Sequence, residues 1–196
     1  MEQIGLYGGS FDPLHFGHIN LALEILEKSS LDKILFCPAF ISPHKLKTPP
    51  KVSSEDRLQM LKLAIADIKN FDVYDGEIKR KGVSYTIDTL EELQEKYLNK
   101  AKISLVIAQD SLSYFCSWKD YKKIIEKFSI LIGCRSNFSE TEIPLELKNS
   151  ATKNFITTKR LEISSTDIRE RLKKELYCGH LMPAKVLDYI YAHKLY

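Results

Sequence analysis

Residues 8–18 have the sequence GGSFDPLHFGH and lie between two apolar segments. The preceding segment, residues 4–7, has the composition of a buried β-strand, and residues 19–26 carry apolar side chains at helical spacing. Glycines in a turn between a strand and a helix let an anion approach the backbone. The free amides and the positive dipole end of the following helix favour the anion there. The stretch therefore predicts a phosphate-binding loop after the first strand of a sheet.

Two histidines distinguish this loop from an ordinary glycine turn. His15 and His18 are three residues apart, with Gly17 between them. A zinc site would need a third or fourth ligand, and no cysteine or further histidine lies nearby in the sequence. A purely structural pair that caps the helix would leave the three glycines of the loop without a purpose. Two imidazoles beside a phosphate cradle therefore indicate chemistry on the phosphate.

The length and the charge balance limit the kinds of protein this chain can be. Its 196 residues suffice for one well-buried domain, which we expect to span residues 1–196, and two small domains are the alternative. The net charge of +3 comes from 29 basic and 26 acidic residues that are interspersed, too weak a bias to indicate a nucleic-acid or membrane partner. The N-terminus has no targeting signature and no apolar run approaches about 18 residues, so we expect a cytoplasmic location.

The cysteines give no sign of a disulfide framework or a zinc knuckle. Cys37, Cys116, Cys134 and Cys178 are widely spaced, and no two of them form a Cys-x-x-Cys pair. Cys37 and Cys134 end apolar runs, which is typical of small buried side chains at strand ends. The sequence therefore offers no set of metal ligands.

Strand-like and helix-like segments alternate along the rest of the chain. Residues 38–52 carry four prolines and are predicted to be irregular. Short connections between alternating elements predict an α/β fold with a single doubly wound, mostly parallel sheet and a small C-terminal helical part. The further strands are expected near residues 33–37, 71–74, 103–108, 128–134 and 155–158, and the further helices near 53–68, 86–97, 121–128, 165–176 and 184–191.

Charged residues follow several of these predicted elements. His44 and Lys45 lie beyond the second strand, and Asp110 follows the strand at 103–108, at the strand ends where ligands bind in open α/β sheets. An exposed surface loop is the alternative for the first pair. Arg169 falls in the first turn of a helix, where a cation is unfavourable unless it meets an anion. Together with the hydroxyl groups just before it, Arg169 indicates a second phosphate site.

Three further positions leave alternatives open. Ser84 and Thr86 lie at the start of a predicted helix and are most simply its caps, although the free amides there can equally hold a ligand carboxylate. Arg57 is expected to be a surface charge rather than a ligand. Trp118, the single tryptophan, is more often a packing residue at such a position, and the alternative is stacking on a flat heterocycle.

The quoted motifs resemble those of a known family. Residues 8–18 and 163–169 are similar to the two signatures of nucleotidyltransferases with a Rossmann-like fold. Residues 43–45 and 84–90, the Asp110 and Trp118 segment, and residues 183–190 look like the bacterial nicotinate-nucleotide adenylyltransferase branch. The similarity covers nearly the whole chain in the family's order. The chain departs from the family at two positions, with Ala108 in place of the usual glycine and Ser42 in place of a common second proline.

The resemblance implies an enzyme and a reaction. Such enzymes transfer AMP from ATP to nicotinate mononucleotide and form nicotinate adenine dinucleotide and pyrophosphate in NAD biosynthesis, with Mg²⁺. ATP and nicotinate mononucleotide are therefore the expected partners, and the sequence leaves open whether the chain forms a homo-oligomer. A related transferase acting on another phosphate, such as phosphopantetheine, should lack residues 84–86 and the full 163–169 signature. A non-catalytic nucleotide sensor should have lost His18 or Arg169, and both are present.

The resemblance also implies roles for individual residues. The chemistry of the two imidazoles adds that His18 is the main donor to the α-phosphate and that His15 has a supporting role on the same phosphates. Trp118 is expected to stack on the pyridine ring, and backbone amides around Thr86 and Trp118 to receive its carboxylate. The expected site residues are His18, His15 and Lys45 for catalysis; Gly8, Gly9, Ser10, Phe11, His44, Ser165, Thr166 and Arg169 for ATP phosphates; Asp110 and Arg135 for the nucleotide; and Ser84, Tyr85, Thr86 and Trp118 for nicotinate.

Overall fold

Six parallel strands form one sheet in the order β3-β2-β1-β4-β5-β6, with helices on both sides. The structure, a computed structural model, describes residues 1–134, 143–144, 147, 155–159 and 161–196. The prediction of a doubly wound parallel sheet with a Rossmann-like nucleotidyltransferase fold is confirmed. The strands are β1 (Glu2–Gly9), β2 (Lys33–Pro38), β3 (Phe71–Val73), β4 (Ala101–Ala108), β5 (Ser129–Cys134) and β6 (Phe155–Thr157).

The helices follow the predicted order, with additions in three loops, at residues 43–45, 76–80 and 109–115. A one-turn 3-10 helix, Pro43–Lys45, lies in the segment that the prolines predicted to be irregular. Proline is acceptable there because the first residue of a helix needs no N–H donor. A second 3-10 turn covers Gln109–Ser111. The α-helices of the described residues are α1 (Phe16–Lys28), α2 (Ser54–Ile65), α3 (Gly76–Arg80), α4 (Thr86–Lys96), α5 (Leu112–Phe115), α6 (Tyr121–Lys127), α7 (Ser165–Lys173) and α8 (Ala184–Ala192).

Contacts divide the chain into two compact units, of which the first contains β4 and β5. It comprises Met1–Gly8, Leu21–Leu35 and Tyr85–Arg160. Within it β4 pairs in parallel with β1 and with β5, and the middle of β4 is buried, as its almost entirely apolar sequence predicts. Gly5 makes room for its neighbours, because a Cβ atom there would lie 2.7 Å from Leu31 Cδ1.

The second unit contains the loop of residues 9–18 and the C-terminal helices. It comprises Gly9–Asn20, Phe36–Ser84 and Leu161–Tyr196. In this unit α2 packs on α8, and the Tyr189 hydroxyl donates a hydrogen bond to Asp56 Oδ1 at 2.9 Å. None of the helices in the described part of the chain has the length and hydropathy to cross a membrane.

Serine side chains cap the starts of α2 and α7. The Ser53 hydroxyl accepts the Asp56 amide at 3.0 Å at the start of α2. The Ser164 hydroxyl accepts the Asp167 amide at 3.1 Å at the start of α7. A side-chain oxygen thus satisfies one of the amides that the first turn leaves without an intrahelical partner.

Candidate active site

The loop between β1 and α1 has an unusual backbone conformation, and an aromatic ring packs inside it. Phe11 has φ of +47°, a left-handed conformation that is uncommon for a residue other than glycine. Its ring lies 5.2 Å from the His18 ring in an edge arrangement and 5.7 Å from the Phe36 ring. A Cβ atom on Gly9 would lie only 2.9 Å from the Phe11 ring. Gly9 is therefore required by packing within the loop.

Gly8 has a different environment. A Cβ atom added there would meet nothing within 4 Å, and the residue is exposed. Packing does not require glycine at this position. The bare backbone at Gly8 suits close approach by a ligand, as the glycine-rich sequence predicts.

The two histidines of the loop lie against each other. Their ring centroids are 3.8 Å apart with an interplanar angle of 33°. The His15 backbone N–H donates to His18 Nδ1 at 3.3 Å. Because Nδ1 accepts, the proton of a neutral His18 is assigned to Nε2, which is then a hydrogen-bond donor. A Cβ atom on Gly17 would lie 2.9 Å from His15 Nδ1, so the third glycine of the loop makes room for this ring.

Both imidazoles are held in the neutral form. Burial lowers the pKa of His15 to about 4. Burial, followed by the charges of His15 and Lys45, lowers the pKa of His18 well below its usual value of 6.5. At neutral pH the pair therefore presents N–H donors without a permanent charge.

The same unit holds cationic and hydroxyl groups, of which Lys45 is close enough for its charge to act on His18. Burial, and next the charge of Arg169, lowers the pKa of the Lys45 ammonium. Arg169 Nη1 donates to the Asp12 carbonyl oxygen at 2.6 Å, and its Nη2 donates to Thr166 Oγ1 at 3.1 Å. The Ser165 hydroxyl donates to a carbonyl of the signature loop, Pro13 O, at 2.9 Å. These contacts fasten the first turn of α7 to residues 12–13.

Arg57 is a residue whose role the sequence prediction got wrong. The sequence predicts a surface position, but only 1% of the residue is exposed. Its Nη1 donates to Ser10 O at 2.8 Å and to Ala39 O at 2.7 Å, and its Nη2 donates to Phe40 O at 3.0 Å. One guanidinium therefore ties the signature loop to the segment after β2. A signal was present, because position 57 lies on the same helical face as buried positions 61 and 64.

The cap role expected for Ser84 is also wrong. Its hydroxyl accepts the Phe40 amide at 2.9 Å, and its own amide donates to Ile41 O at 2.8 Å. Tyr85 is the N-cap of α4 and makes no side-chain cap, and Thr86 is the first helical residue. The serine is engaged by the segment after β2 and is not available to the helix.

The first unit holds the aromatic residues expected to bind nicotinate. Trp118 is half-buried and its ring packs 5.2 Å from the Phe115 ring. The Trp118 amide donates to Phe115 O at 3.0 Å, so this amide is already used within the chain. Lys119 Nζ lies 4.7 Å from the centre of the Tyr85 ring and bridges both oxygens of Asp88 at 2.9 and 3.1 Å.

The remaining site residues are divided between the two units. His44 and Lys45 share the 3-10 turn in the second unit, which also holds Ser84 and, apart from Gly8 in the first unit, the other residues expected to bind phosphate. Asp110 lies in the turn after β4 in the first unit, and its charge adds to burial in raising the pKa of Tyr7. Arg135 lies outside the described residues. So do most of residues 136–153, a segment for which the sequence indicates no role. Among the described residues, no group of three His, Cys, Asp or Glu side chains is placed to hold a metal ion.

Comparison with known proteins finds relatives along the whole chain. A family model described as cytidylyltransferase-like matches residues 6–171. A protein of Methylacidiphilum infernorum, described as a probable nicotinate-nucleotide adenylyltransferase, is 38% identical over 194 residues, which cover 99% of this chain and 92% of that protein. A Clostridium botulinum protein with the same description is 35% identical and covers 100% of this chain and 98% of its own length.

A solved structure has the same fold. The nicotinic acid mononucleotide adenylyltransferase of Plasmodium falciparum, complexed with NaAD, superposes with a TM-score of 0.77 at 19% identity. The match covers 100% of this chain and 97% of that one. At this identity the similarity establishes the shared architecture.

Proposed function

Because this chain belongs to the cytidylyltransferase-like family, and within it to the nicotinate-nucleotide adenylyltransferases, we propose how its residues perform that reaction. An oxygen of the nicotinate mononucleotide phosphate attacks the α-phosphorus of ATP, the bond from that phosphorus to the bridging oxygen breaks, and pyrophosphate leaves. The observation that carries this assignment is the neutral histidine pair, held in one unit with Lys45 and Arg169.

His18 is the residue that acts on the transferred group. Its Nε2–H donates to an α-phosphate oxygen, where negative charge builds as the bond to the leaving group breaks. The His15 amide holds His18 Nδ1, so the donor is oriented before ATP binds. In phosphoryl-type transfer the protein needs no nucleophile, and positioning with charge stabilisation supplies most of the rate.

The cations bind the phosphates that depart. Lys45, with His44 beside it, and Arg169, with Ser165 and Thr166, contact the β- and γ-phosphates of ATP. Their charges stabilise pyrophosphate as it separates. The backbone of Gly8, Gly9, Ser10 and Phe11 lines the same phosphate site, and Asp110 and Arg135 contact the nucleotide.

Nicotinate is recognised by aromatic side chains and backbone amides. The Trp118 ring stacks on the pyridine ring, and Tyr85, the N-cap residue of α4, contributes a second aromatic side chain. The amides of Asp88 and Thr89 already donate to Tyr85 O, so it is the first two amides of α4, those of Thr86 and Ile87, that donate to the carboxylate at the positive end of the helix dipole. Ser84 contributes indirectly, because its hydroxyl is engaged with the Phe40 amide.

Mg²⁺ enters with the nucleotide in this proposal. The donors of the phosphate site are imidazole, ammonium, guanidinium and hydroxyl groups, which suit phosphate oxygens rather than Mg²⁺. The phosphates of ATP would supply the oxygen ligands that the ion prefers. We further propose that residues 1–196 work as a single nucleotidyltransferase domain in which both substrates are bound.

One assay tests the reaction and separates it from its rivals. Purified protein is given ATP and Mg²⁺ with nicotinate mononucleotide, nicotinamide mononucleotide or phosphopantetheine, and pyrophosphate release is measured. We expect the fastest release with nicotinate mononucleotide. Release only with phosphopantetheine would assign the chain to the rival transferase, and ATP binding without release from any acceptor would indicate a nucleotide sensor.

A further inference from the structure

Asp12 contacts three other segments of the second unit. Only 5% of it is exposed. Its Oδ2 accepts the Lys51 amide at 2.9 Å, and its Oδ1 accepts the Tyr196 hydroxyl at 2.9 Å. The same Oδ2 atom is 3.7 Å from Arg169 Nη1, longer than a charge-assisted hydrogen bond of about 2.7–2.9 Å. Arg169 Nη1 donates instead to the Asp12 carbonyl oxygen.

Tyr196 reaches this carboxylate from the segment after α8. Burial, followed by the charge of Asp12 and the hydrogen bond to it, raises the pKa of the Tyr196 hydroxyl. The hydroxyl therefore keeps its proton across the working pH range and donates to Asp12. With Lys51 on one oxygen and Tyr196 on the other, the orientation of the carboxylate is set from both sides.

The negative charge of Asp12 can weaken phosphate binding, because it lies beside a cation that is proposed to bind phosphate. Its charge also favours the charged forms of Lys45 and Arg57. The carboxylate and Arg169 already form a loose ion pair at 3.7 Å. If the carboxylate turned further toward Arg169, this pair would close to a charge-assisted hydrogen bond and compete with phosphate for the guanidinium. The Tyr196 hydrogen bond opposes that turn.

We propose that Tyr196 is a positioning residue for ATP, whose hydroxyl holds the Asp12 carboxylate so that Arg169 stays available to the departing phosphates. This rests on the proposed function, because it takes Arg169 as a phosphate ligand. It adds a residue that lies outside both signature motifs.

The test compares two tyrosines whose hydroxyls each donate a hydrogen bond of the same length to an aspartate. Tyr196→Phe removes the hydroxyl on Asp12, and Tyr189→Phe removes the hydroxyl on Asp56, also at 2.9 Å. We expect Tyr196→Phe to raise the KM for ATP about tenfold and to weaken product inhibition by pyrophosphate. The KM for nicotinate mononucleotide should not change. Tyr189→Phe should leave all three constants unchanged.

A second variant separates positioning from a general structural effect. Asp12→Asn removes the charge that competes for Arg169, so adding Tyr196→Phe to it should change the KM for ATP far less than Tyr196→Phe does alone. Equal effects of Tyr196→Phe in both backgrounds would overturn the proposal. So would a wild-type KM for ATP in Tyr196→Phe, or an equal rise in both KM values together with a lower Tm.

Calorimetry with inorganic tripolyphosphate keeps this test independent of the acceptor. Weaker binding by Tyr196→Phe than by Tyr189→Phe supports the positioning role even if the wild-type chain fails to adenylylate nicotinate mononucleotide. In that case only the proposed function is refuted. Equal binding of tripolyphosphate by the two variants refutes the role of Tyr196, whatever the acceptor.

Discussion

The proton on His18 is placed by one backbone hydrogen bond. Because the His15 amide donates to Nδ1, the opposite nitrogen of a neutral His18 is the donor. The depressed pKa values of both rings mean that the donor is neutral before ATP arrives. In the proposed mechanism the loop therefore orients the hydrogen-bond donor, and Lys45 and Arg169 supply positive charge.

Replacing His18 tests its role as the donor. We expect His18→Ala to lower turnover about 100- to 1000-fold, which is the usual cost of losing one preorganised donor to developing charge. The matched control is His180→Ala, which removes a histidine outside the phosphate site. Steady-state rates and circular dichroism of both variants provide the measurement, and near-normal turnover by a folded His18→Ala protein would exclude the assignment.

The buried His15 makes stability depend on pH. Its pKa is about 4 in the folded chain and close to 6.5 when unfolded, so between these values the unfolded chain binds more protons. Its stabilising contribution is complete above pH 6.5 and is lost as the pH falls toward 4. The loss is on the order of 3 kcal/mol.

Urea unfolding at several pH values measures this dependence. The free energy of unfolding should fall between pH 6.5 and 4 in the wild-type chain and in His180→Ala. It should fall less steeply in His15→Ala, in which the half-buried His18 is the remaining imidazole of the pair. Identical slopes in all three proteins would contradict the neutral, buried state of His15.

Two helix starts illustrate how an element brings groups to the site. The first turn of α7 carries Ser165 and Thr166, Arg169 begins the second turn, and the Ser164 cap holds the helix start. α2 has an equivalent cap in Ser53, but its site residue, Arg57, contacts loop carbonyls. The two caps are similar in chemistry, but only the one on α7 holds a turn whose side chains are assigned to phosphate.

Removing each cap distinguishes stability from ligand binding. Ser164→Ala and Ser53→Ala should each lower the free energy of unfolding by about 1 kcal/mol. Only Ser164→Ala should also raise the KM for ATP, because it loosens the turn that presents the phosphate ligands. Chemical denaturation and steady-state kinetics report the two effects separately, and an equal rise in KM for both variants would contradict the role of α7.

At the scale of the whole molecule, the residues proposed to recognise nicotinate lie mostly in the first unit, namely Tyr85, Thr86 and Trp118. Nicotinate differs from nicotinamide by a negative charge, which the first amides of α4 can receive. Asp88, in the first turn of α4, is paired with Lys119, whose ammonium also lies over the Tyr85 ring. In the proposed site the negative charge of Asp88 is therefore already compensated and does not repel the substrate carboxylate.

This arrangement leads to a substrate preference. The charge-assisted hydrogen bond lost with the amide ring is worth about 1.5–3 kcal/mol. We therefore expect kcat/KM to be roughly 10- to 150-fold higher for nicotinate mononucleotide than for nicotinamide mononucleotide. Equal efficiency with the two acceptors would refute the carboxylate site at the start of α4.

The sequence predicted the sheet and the signature loop, because these depend on residue type and spacing within short segments. It missed α3, whose five residues are too few to show a helical period. It placed Arg57 on the surface because a lone arginine in a polar first turn is usually solvated. The carbonyls that Arg57 binds come from residues 10, 39 and 40, which no local pattern connects to it.

By itself the sequence determined the parallel α/β fold and the glycine-rich loop with its two histidines, and through the family resemblance it indicated the class of reaction. Only the tertiary structure decided which nitrogen of His18 is the donor, where Arg57 lies and that Tyr196 holds Asp12. The physical reason is distance along the chain. Asp12 and Tyr196 are 184 residues apart, and a hydrogen bond between them exists only because packing brings their segments together.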